Sequence, residues 1–178
     1  SRGLGDVYKR QDMEINVWDR IIAFEGRMHE FIKAAYDYQD NTFHSHPGYY
    51  IDYFEMRLAQ LQVLHNLHYE IKKIRKMPKQ ALVIADYIMY MADYVVEMNI
   101  PDQQIEKLEE ISEQMKQEEL PKTREEFEGR ALLYHILMDL EEFLVYKKRF
   151  VNGLDEKKLR IYWKQEMEQK DSANELQK

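Results

Sequence analysis

Apolar positions along this chain recur at helical spacing. From residue 17 they fall at Val17, Ile21, Phe24, Met28, Phe31, Ala35 and Tyr38. Steps of three and four put all of them on one face, which predicts a long first helix. The pattern stops at Asp40-Asn41, and NTFHSHPG reads as a loop closed by Pro47 and Gly48. A second helix is predicted to start near Tyr49. Its broad apolar face comprises Ile51, Phe54, Leu58, Leu61, Leu64, Leu67, Ile71 and Ile74. It ends in KKIRK, where cations meet the negative end of the helix dipole.

Pro78 suits the first position of a third helix. The run ALVIADYIMYMADYVVEM that follows is apolar nearly all round, so this helix (about 79–98) is expected to be central and the most buried. Its length and its two aspartates, Asp86 and Asp93, argue for a buried helix and against a membrane span. Asn99-Ile100-Pro101 launches a fourth helix with Ile105, Leu108, Ile111 and Met115 inward. After the break at Leu120-Pro121-Lys122, Thr123-x-x-Glu126 has the form of a capping box. The fifth stripe is Phe127, Ala131, Tyr134, Leu137, Leu140 and Leu144, and Asn152-Gly153 ends it. Asp155 is placed to cap a last amphipathic segment through Trp163, and DSANELQK reads as a frayed tail. The short connections predict antiparallel neighbours. The fold class is therefore all-α: an up-and-down bundle of about five long helices plus a short C-terminal helix. Residues 12–152 form the bundle domain and 153–178 the amphipathic helix and tail.

The first eleven residues, SRGLGDVYKRQ, stand apart. Asp6 to Gln11 back-translates as GAT GTG TAT AAG AGA CAG, which resembles the mosaic end used in transposon-based library preparation. Residues 1–11 are accordingly read as a non-native sequencing-adapter scar.

Composition narrows the function classes. An apolar share of 44% in 178 residues is enough for one cored domain and argues against global disorder. The chain has no cysteine, which excludes disulfides, thiolate metal sites and a cysteine nucleophile, and suits a reducing compartment. A net charge of −7 leaves no phosphate-neutralising excess, so nucleic acid is not an expected partner. No apolar run reaches about 18 residues, so no segment is expected to span a membrane.

Candidate chemistry is sparse. His44-Ser-His46 and His65-x-x-His68 could each offer two imidazoles, but no histidine has an acidic residue three positions before it, as a bundle di-iron site requires. They read as loop and helix-face histidines, and no metal or cofactor is expected. The window Glu106 to Glu128 holds nine Glu against four Lys or Arg, a pattern typical of a solvated face. There is no GxSxG, no phosphate-binding glycine loop and no dinucleotide fingerprint, so an enzyme is not expected. The basic cluster Lys72, Lys73, Arg75, Lys76 and Lys79 either lies against anionic lipid or complements the helix end, and the second reading is preferred.

One stripe is more suggestive. Tyr50, Tyr53, Arg57 and His68 lie close together around the second helix, and a guanidinium among tyrosines can grip an aromatic carboxylate. The plainer alternative makes Arg57 a half-buried partner of Asp86 or Asp93 on the central helix.

Three features together resemble a known family: YYIDYFEMRLAQ (49–60), PKTREEFEGRALLYHILMDLEEFL (121–144), and the order and length of the helices joining them. They are similar to the C-terminal domain of the aromatic acid exporter family 1 proteins, over roughly residues 13–150. The resemblance implies a soluble, non-catalytic helical domain on the cytoplasmic face of a bacterial membrane, following an N-terminal transmembrane region absent from this sequence. Its role there would be regulation or assembly. The implied partners are that membrane region, further copies of the chain, and an aromatic carboxylate. A stand-alone helical interaction or small-ligand-sensing module is the competing expectation.

Overall fold

The computed structural model describes residues 18–37, 47–74, 76–96, 98–154 and 163–164. Among them are five bundle helices and no strand: α1 (18–37), α2 (Pro47–Lys72), α3 (Ala81–Asp93), α4 (Asp102–Lys116) and α5 (Arg124–Gly153). Polar contacts fix their directions. Start meets end between α3 and α4, where the Gln80 amide donates to Glu118 at 2.8 Å. The same holds between α4 and α5, where Lys148 pairs with Asp102 at 3.0 Å. Consecutive helices run antiparallel, and among α2 to α5 the broadest contact is between α2 and α5. This is the predicted up-and-down bundle. The predicted loop at 41–46, residues 1–11 read as a scar, and most of the C-terminal segment with Asp155 lie outside the described residues.

All five helices feed one apolar core. Ile21, Phe24 and Met28 of α1 meet Leu64 and Leu67 of α2, Ile84 and Ile88 of α3, Leu108 of α4, and Leu133, Ile136 and Leu140 of α5. Full burial of one such side chain contributes about 1.5–3 kcal/mol, against about 0–1 for an exposed ion pair, so this cluster and not the surface charge holds the bundle. A second, aromatic cluster joins the start of α2 to the end of α5, through Tyr49, Tyr50, Tyr53 and Phe54 against Phe150 and Val151. Trp163 packs on it and donates its indole N–H to the Tyr49 hydroxyl at 3.3 Å.

The stripes predicted for α1 and α4 hold where described: Ile21, Phe24 and Met28 are buried, as are Leu108, Ile111 and Met115, while Val17 and Tyr38 lie outside the described residues. Three other expectations need correction. Helix α3 buries a larger share of its residues than α4 or α5, as expected, but it ends at Asp93 and its outer side leaves Leu82, Val83 and Met89 exposed at 43%, 45% and 42%. Only its inner side, with Ile84, Ile88 and Met91, is central. On α2, Ile51 and Leu58 are exposed, whereas Tyr53, Arg57 and Gln60 occupy the core face. On α5, Phe127 lies 62% exposed, and the first turns present Gly129 and Leu133 inward.

The rotation of α5 has a steric cause. A Cβ built on Gly129 would lie 3.0 Å from Pro78 Cγ and 3.1 Å from the Lys76 carbonyl oxygen. The helix therefore approaches the α2–α3 turn where it carries no side chain, and that sets which face looks inward. The turn itself is tight, with the Ala81 amide donating to the Pro78 carbonyl at 3.0 Å, so α3 begins three residues after the proline.

The start of α5 is capped much as the sequence predicts. Thr123 Oγ1 accepts from the Glu126 amide at 3.1 Å. The reciprocal bond is displaced by one residue, because Glu126 Oε2 accepts from the Lys122 amide at 2.7 Å. That bond, with Lys76 nearby, holds the Glu126 carboxyl below its ordinary range. Between α3 and α4 the buried Tyr87 hydroxyl donates to the Gln104 carbonyl at 2.6 Å, and burial pushes its ionisation far up. The Gln104 side chain in turn accepts from Asn99 at 3.1 Å, which fastens the α3–α4 turn.

Two pairs of measurements test these assignments. Gly129→Ala should destabilise by about 1 kcal/mol net, overpacking outweighing the propensity gain. Gly26→Ala, with nothing within 4 Å of the new Cβ, should instead stabilise by about 0.5–1 kcal/mol. Urea midpoints that shift in the same direction would refute the steric account. Thr123→Ala should cost about 0.5–2 kcal/mol at neutral pH. Because the folded carboxyl of Glu126 is depressed, its contribution is present above the ordinary value of 4.5 and fades as pH falls below it. The stability gap between the native chain and Glu126→Gln should close over that acid range.

Candidate functional site

Arg57 is the largest fully buried side chain of the core, at 1% exposure. It sits on α2 with Tyr53 one turn before and Gln60 one turn after. Its Nε donates to the Tyr53 hydroxyl at 3.1 Å, and Nη1 donates to Gln60 Oε1 at 2.9 Å. The guanidinium carbon also lies 5.1 Å from the Tyr53 ring centroid, within cation–π range. Gln60 passes the connection on: its amide donates to the Phe143 carbonyl of α5 at 2.8 Å. One polar chain thus crosses the α2–α5 interface.

Neither aspartate considered for Arg57 is its partner. Asp86 is exposed, and Asp93 pairs with Arg27 of α1 at 3.2 Å. Both look away from the core because α3 turns its polar residues outward. Among the described residues Arg57 has no carboxylate partner, and its Nη2 has no hydrogen-bond partner at all.

The stripe grouped Tyr50, Tyr53, Arg57 and His68, and the structure brings only part of it together. Tyr53 touches the guanidinium. Tyr50 belongs to the aromatic cluster, with its ring 5.3 Å from that of Tyr49. His68 lies further along α2, its Nδ1 3.6 Å from Glu25 and its ring edge-on to Trp18 at 4.0 Å. The stripe followed one line along the helix surface, whereas a side chain eleven residues away is beyond the reach of Arg57.

Two residues of the site were not anticipated. Gln60 is one. The other is Lys147 on α5, only 4% exposed, which donates to the Val96 carbonyl at 3.3 Å. Its ammonium stands 5.9 Å from the same Tyr53 ring. A signal existed for both: they fall on the three-four steps Tyr53, Arg57, Gln60, Leu64 and Phe143, Lys147, Val151, where apolar residues are expected.

A small cleft opens beside these groups, lined by Arg57, Gln60, Lys147, Tyr94, Val96 and Asn99 among others. Its volume is about 20 Å³, room for one water-sized group; a cavity that takes benzene is on the order of 150 Å³. As arranged, it admits a compact polar group but not an aromatic ring.

A wider cleft, about 280 Å³, lies where the α2–α3 turn meets the start of α5. Its charges largely satisfy one another, with Lys79 to Glu118 at 3.7 Å and Lys122 to Glu119 at 3.5 Å. Of the basic run nearby, Lys72 lies over the Trp18 ring and Lys73 pairs with Glu70, while Arg75 lies outside the described residues. No group of three metal-ligating side chains occurs among the described residues. His65 packs against Tyr69, while His44 and His46 lie outside the described residues.

The family model of the putative aromatic acid exporter C-terminal domain matches residues 6–148. The chain belongs to this family. A relative of this exporter domain is the uncharacterized protein YqjA of Bacillus subtilis (strain 168), 32% identical over 98 residues. That alignment covers 55% of this chain but only 30% of YqjA. The fold is also that of a crystal structure of a putative membrane protein from Clostridium difficile 630, at 22% identity and a TM-score of 0.56. The match covers 84% of this chain and 98% of that one. No described helix of the exporter domain is long and apolar enough to cross a membrane.

The polar chain across α2 and α5 predicts an inverted order of costs. Gln60→Leu strands a second guanidinium nitrogen and should destabilise by about 2–3 kcal/mol. Arg57→Met removes the buried charge itself and should change stability by only about 1 kcal/mol or less. Denaturant titrations in which Arg57→Met is much the worse of the two would contradict this assignment.

Proposed function

We propose that this domain is the non-catalytic regulatory and assembly unit of an exporter-family membrane protein, held at the cytoplasmic face of the membrane by a preceding transmembrane region. Family membership and the small share of YqjA that the chain spans support a domain within a longer protein. The observation that carries the regulatory part is the buried Arg57, whose Nη2 is unsatisfied at the α2–α5 interface. Such an unmet donor makes the packing of α2 against α5 sensitive to any rearrangement that supplies it an acceptor. Regulation needs that sensitivity, because a ligand shifts an equilibrium only by its differential affinity for the two states.

A stand-alone interaction module is the second reading. It is favoured by Leu120 and Phe127, exposed at 84% and 62% on either side of the α5 cap.

The complete open reading frame and its product decide between them. Apolar segments of about 20 residues upstream of this domain, and recovery of the product in the membrane fraction, are expected under the first reading. Efflux of hydroxybenzoates by that product should then change in Arg57→Met while its abundance in the membrane does not. A reading frame that encodes no such segment, or efflux untouched by the substitution, would refute the regulatory unit and leave the interaction module.

A further inference from the structure

Five helix ends meet at one pole of the bundle. The Trp18 ring at the start of α1 lies edge-on to His68 at 4.0 Å and 5.0 Å from the Lys72 ammonium, so α1 begins beside the end of α2. The Gln80–Glu118 bond puts the start of α3 beside the end of α4. Gly129 sets the start of α5 against Pro78, in the turn between α2 and α3. The polypeptide therefore enters the bundle at this pole, and a membrane region preceding α1 would stand on the same side.

Two apolar side chains project there, Leu120 and Phe127, and Leu120 is the most exposed large apolar side chain among the described residues. Polar bonds on both sides hold Leu120 outward. The Glu119 carbonyl before it accepts from Arg130 Nη1, and the Lys122 amide after it donates to Glu126. Phe127 lies within the first turn of α5 and is turned outward by the Gly129 contact. Leaving two fixed apolar side chains in water is unfavourable unless something covers them.

The surroundings match a lipid interface. The side chains of Lys79, Lys122 and Arg124 are largely exposed beside this pair, each with a carboxylate neighbour: Glu118 at 3.7 Å, Glu119 at 3.5 Å and Glu128 at 3.8 Å. Exposed pairs of this kind are weak, so the cations can exchange their partners for lipid phosphates at little cost. Long cationic side chains around apolar tips suit a boundary where hydrocarbon lies just beneath a layer of phosphate. The exposed acids Glu119, Glu125 and Glu128 offset much of the positive charge. Insertion therefore carries the contact, and anionic lipid strengthens it.

We propose that this pole rests on a phospholipid surface, with Leu120 and Phe127 inserted beneath the headgroups and Lys79, Lys122 and Arg124 level with the phosphates. The docking rests on the reading of this chain as a domain that follows a transmembrane region, and it specifies which face turns to the bilayer. A protein partner could bury the same two side chains. The bilayer is favoured because the pole that displays them is the pole at which α1 begins.

The chain contains no cysteine, so single cysteines can carry an environment-sensitive fluorophore without background. Leu120→Cys and Phe127→Cys report the pole. Met138→Cys, midway along α5, and Ile51→Cys, at the opposite pole, are exposed apolar controls that also test the pull of the fluorophore itself. Each labelled chain is anchored by an N-terminal polyhistidine tag to vesicles of phosphatidylcholine and phosphatidylglycerol that contain a nickel-chelating lipid. Lipids brominated near the top of the acyl chains should quench the labels at 120 and 127 and leave those at 138 and 51 unchanged. Adding Phe127→Ser to the chain labelled at 120 should lower the ratio of docked to undocked molecules by roughly tenfold. Phe127 is exposed, so the fold should survive the change, which circular dichroism checks.

The proposal is overturned if the labels at 120 and 127 are not quenched, or if all four are quenched alike. It is also overturned if the two labels become shielded without lipid as protein concentration rises, since the patch would then be a protein interface. The anchor is artificial, so the two ideas fail separately. A reading frame without a membrane region refutes the exporter-domain reading and leaves the vesicle result standing, whereas unquenched labels on the anchored chain remove this inference alone.

Discussion

A guanidinium inside an otherwise apolar helix interface is the constraint around which the bundle is arranged. Arg57 cannot reach solvent and has no carboxylate among the described residues, so its hydrogen bonds must be made locally. Tyr53 and Gln60 supply them because they lie one turn either side, where helical geometry brings side chains together. Gln60 then spends its amide on the Phe143 carbonyl of α5, so the need of one charge on α2 becomes a tie between two helices. A wholly apolar interface would be held as firmly, but through contacts that do not distinguish one turn from the next. The polar layer distinguishes them, which is the best-attested use of buried polar groups in helix packing.

The opposite end of the same interface is set by the absence of a side chain. Gly129 lets α5 come against Pro78 and the Lys76 carbonyl, and no larger residue fits without movement of the turn. Close approach there and the Gln60 bridge further along leave α5 little freedom to rotate or slide over α2. Phe127 is the consequence. It occupies a position that reads as core in the sequence, yet it faces solvent because the helix face beside it is committed to Gly129.

These two constraints also explain what could and could not be read from the sequence. Helix number, order and antiparallel direction were legible, because three-four spacing, prolines and the Thr123 cap report on local structure that tertiary contacts do not override. The inward faces of α1 and α4 were legible for the same reason: each has a single apolar stripe. Those of α2, α3 and α5 were legible only in part: Phe54, Leu64, Leu67 and Ile71 of α2 and Leu137, Leu140 and Leu144 of α5 are buried as expected, but each helix carries apolar residues on more than one side. Periodicity then cannot say that Ile51 and Leu58 lose to Arg57 and Gln60, or that Leu82 and Met89 face out. At the site, Tyr53 and Arg57 were found through their chemistry. Lys147 was missed because pairing it with Arg57 requires the α2–α5 register, which is a tertiary fact.

The register and the placement of two cations are two outcomes of the same burial. A guanidinium has five N–H donors in a fixed plane, and α2 itself can turn only a few acceptors toward it. Tyr53 and Gln60 take Nε and Nη1, which leaves Nη2 directed away from both. Lys147 approaches from α5 at the level where Phe143 accepts from Gln60, so the helix pairing that satisfies Gln60 also brings a second cation to the Tyr53 ring. Any register that paired Gln60 with a different carbonyl would separate the two cations. The geometry that fixes the bundle therefore sets two cationic side chains about one aromatic ring, and Lys147 ties the same place to the α3–α4 turn at Val96. The helix register and the placement of the two cations are thus carried by the same residues. A substitution at Arg57 that relieves the buried charge also removes the bond that orients Gln60 toward α5.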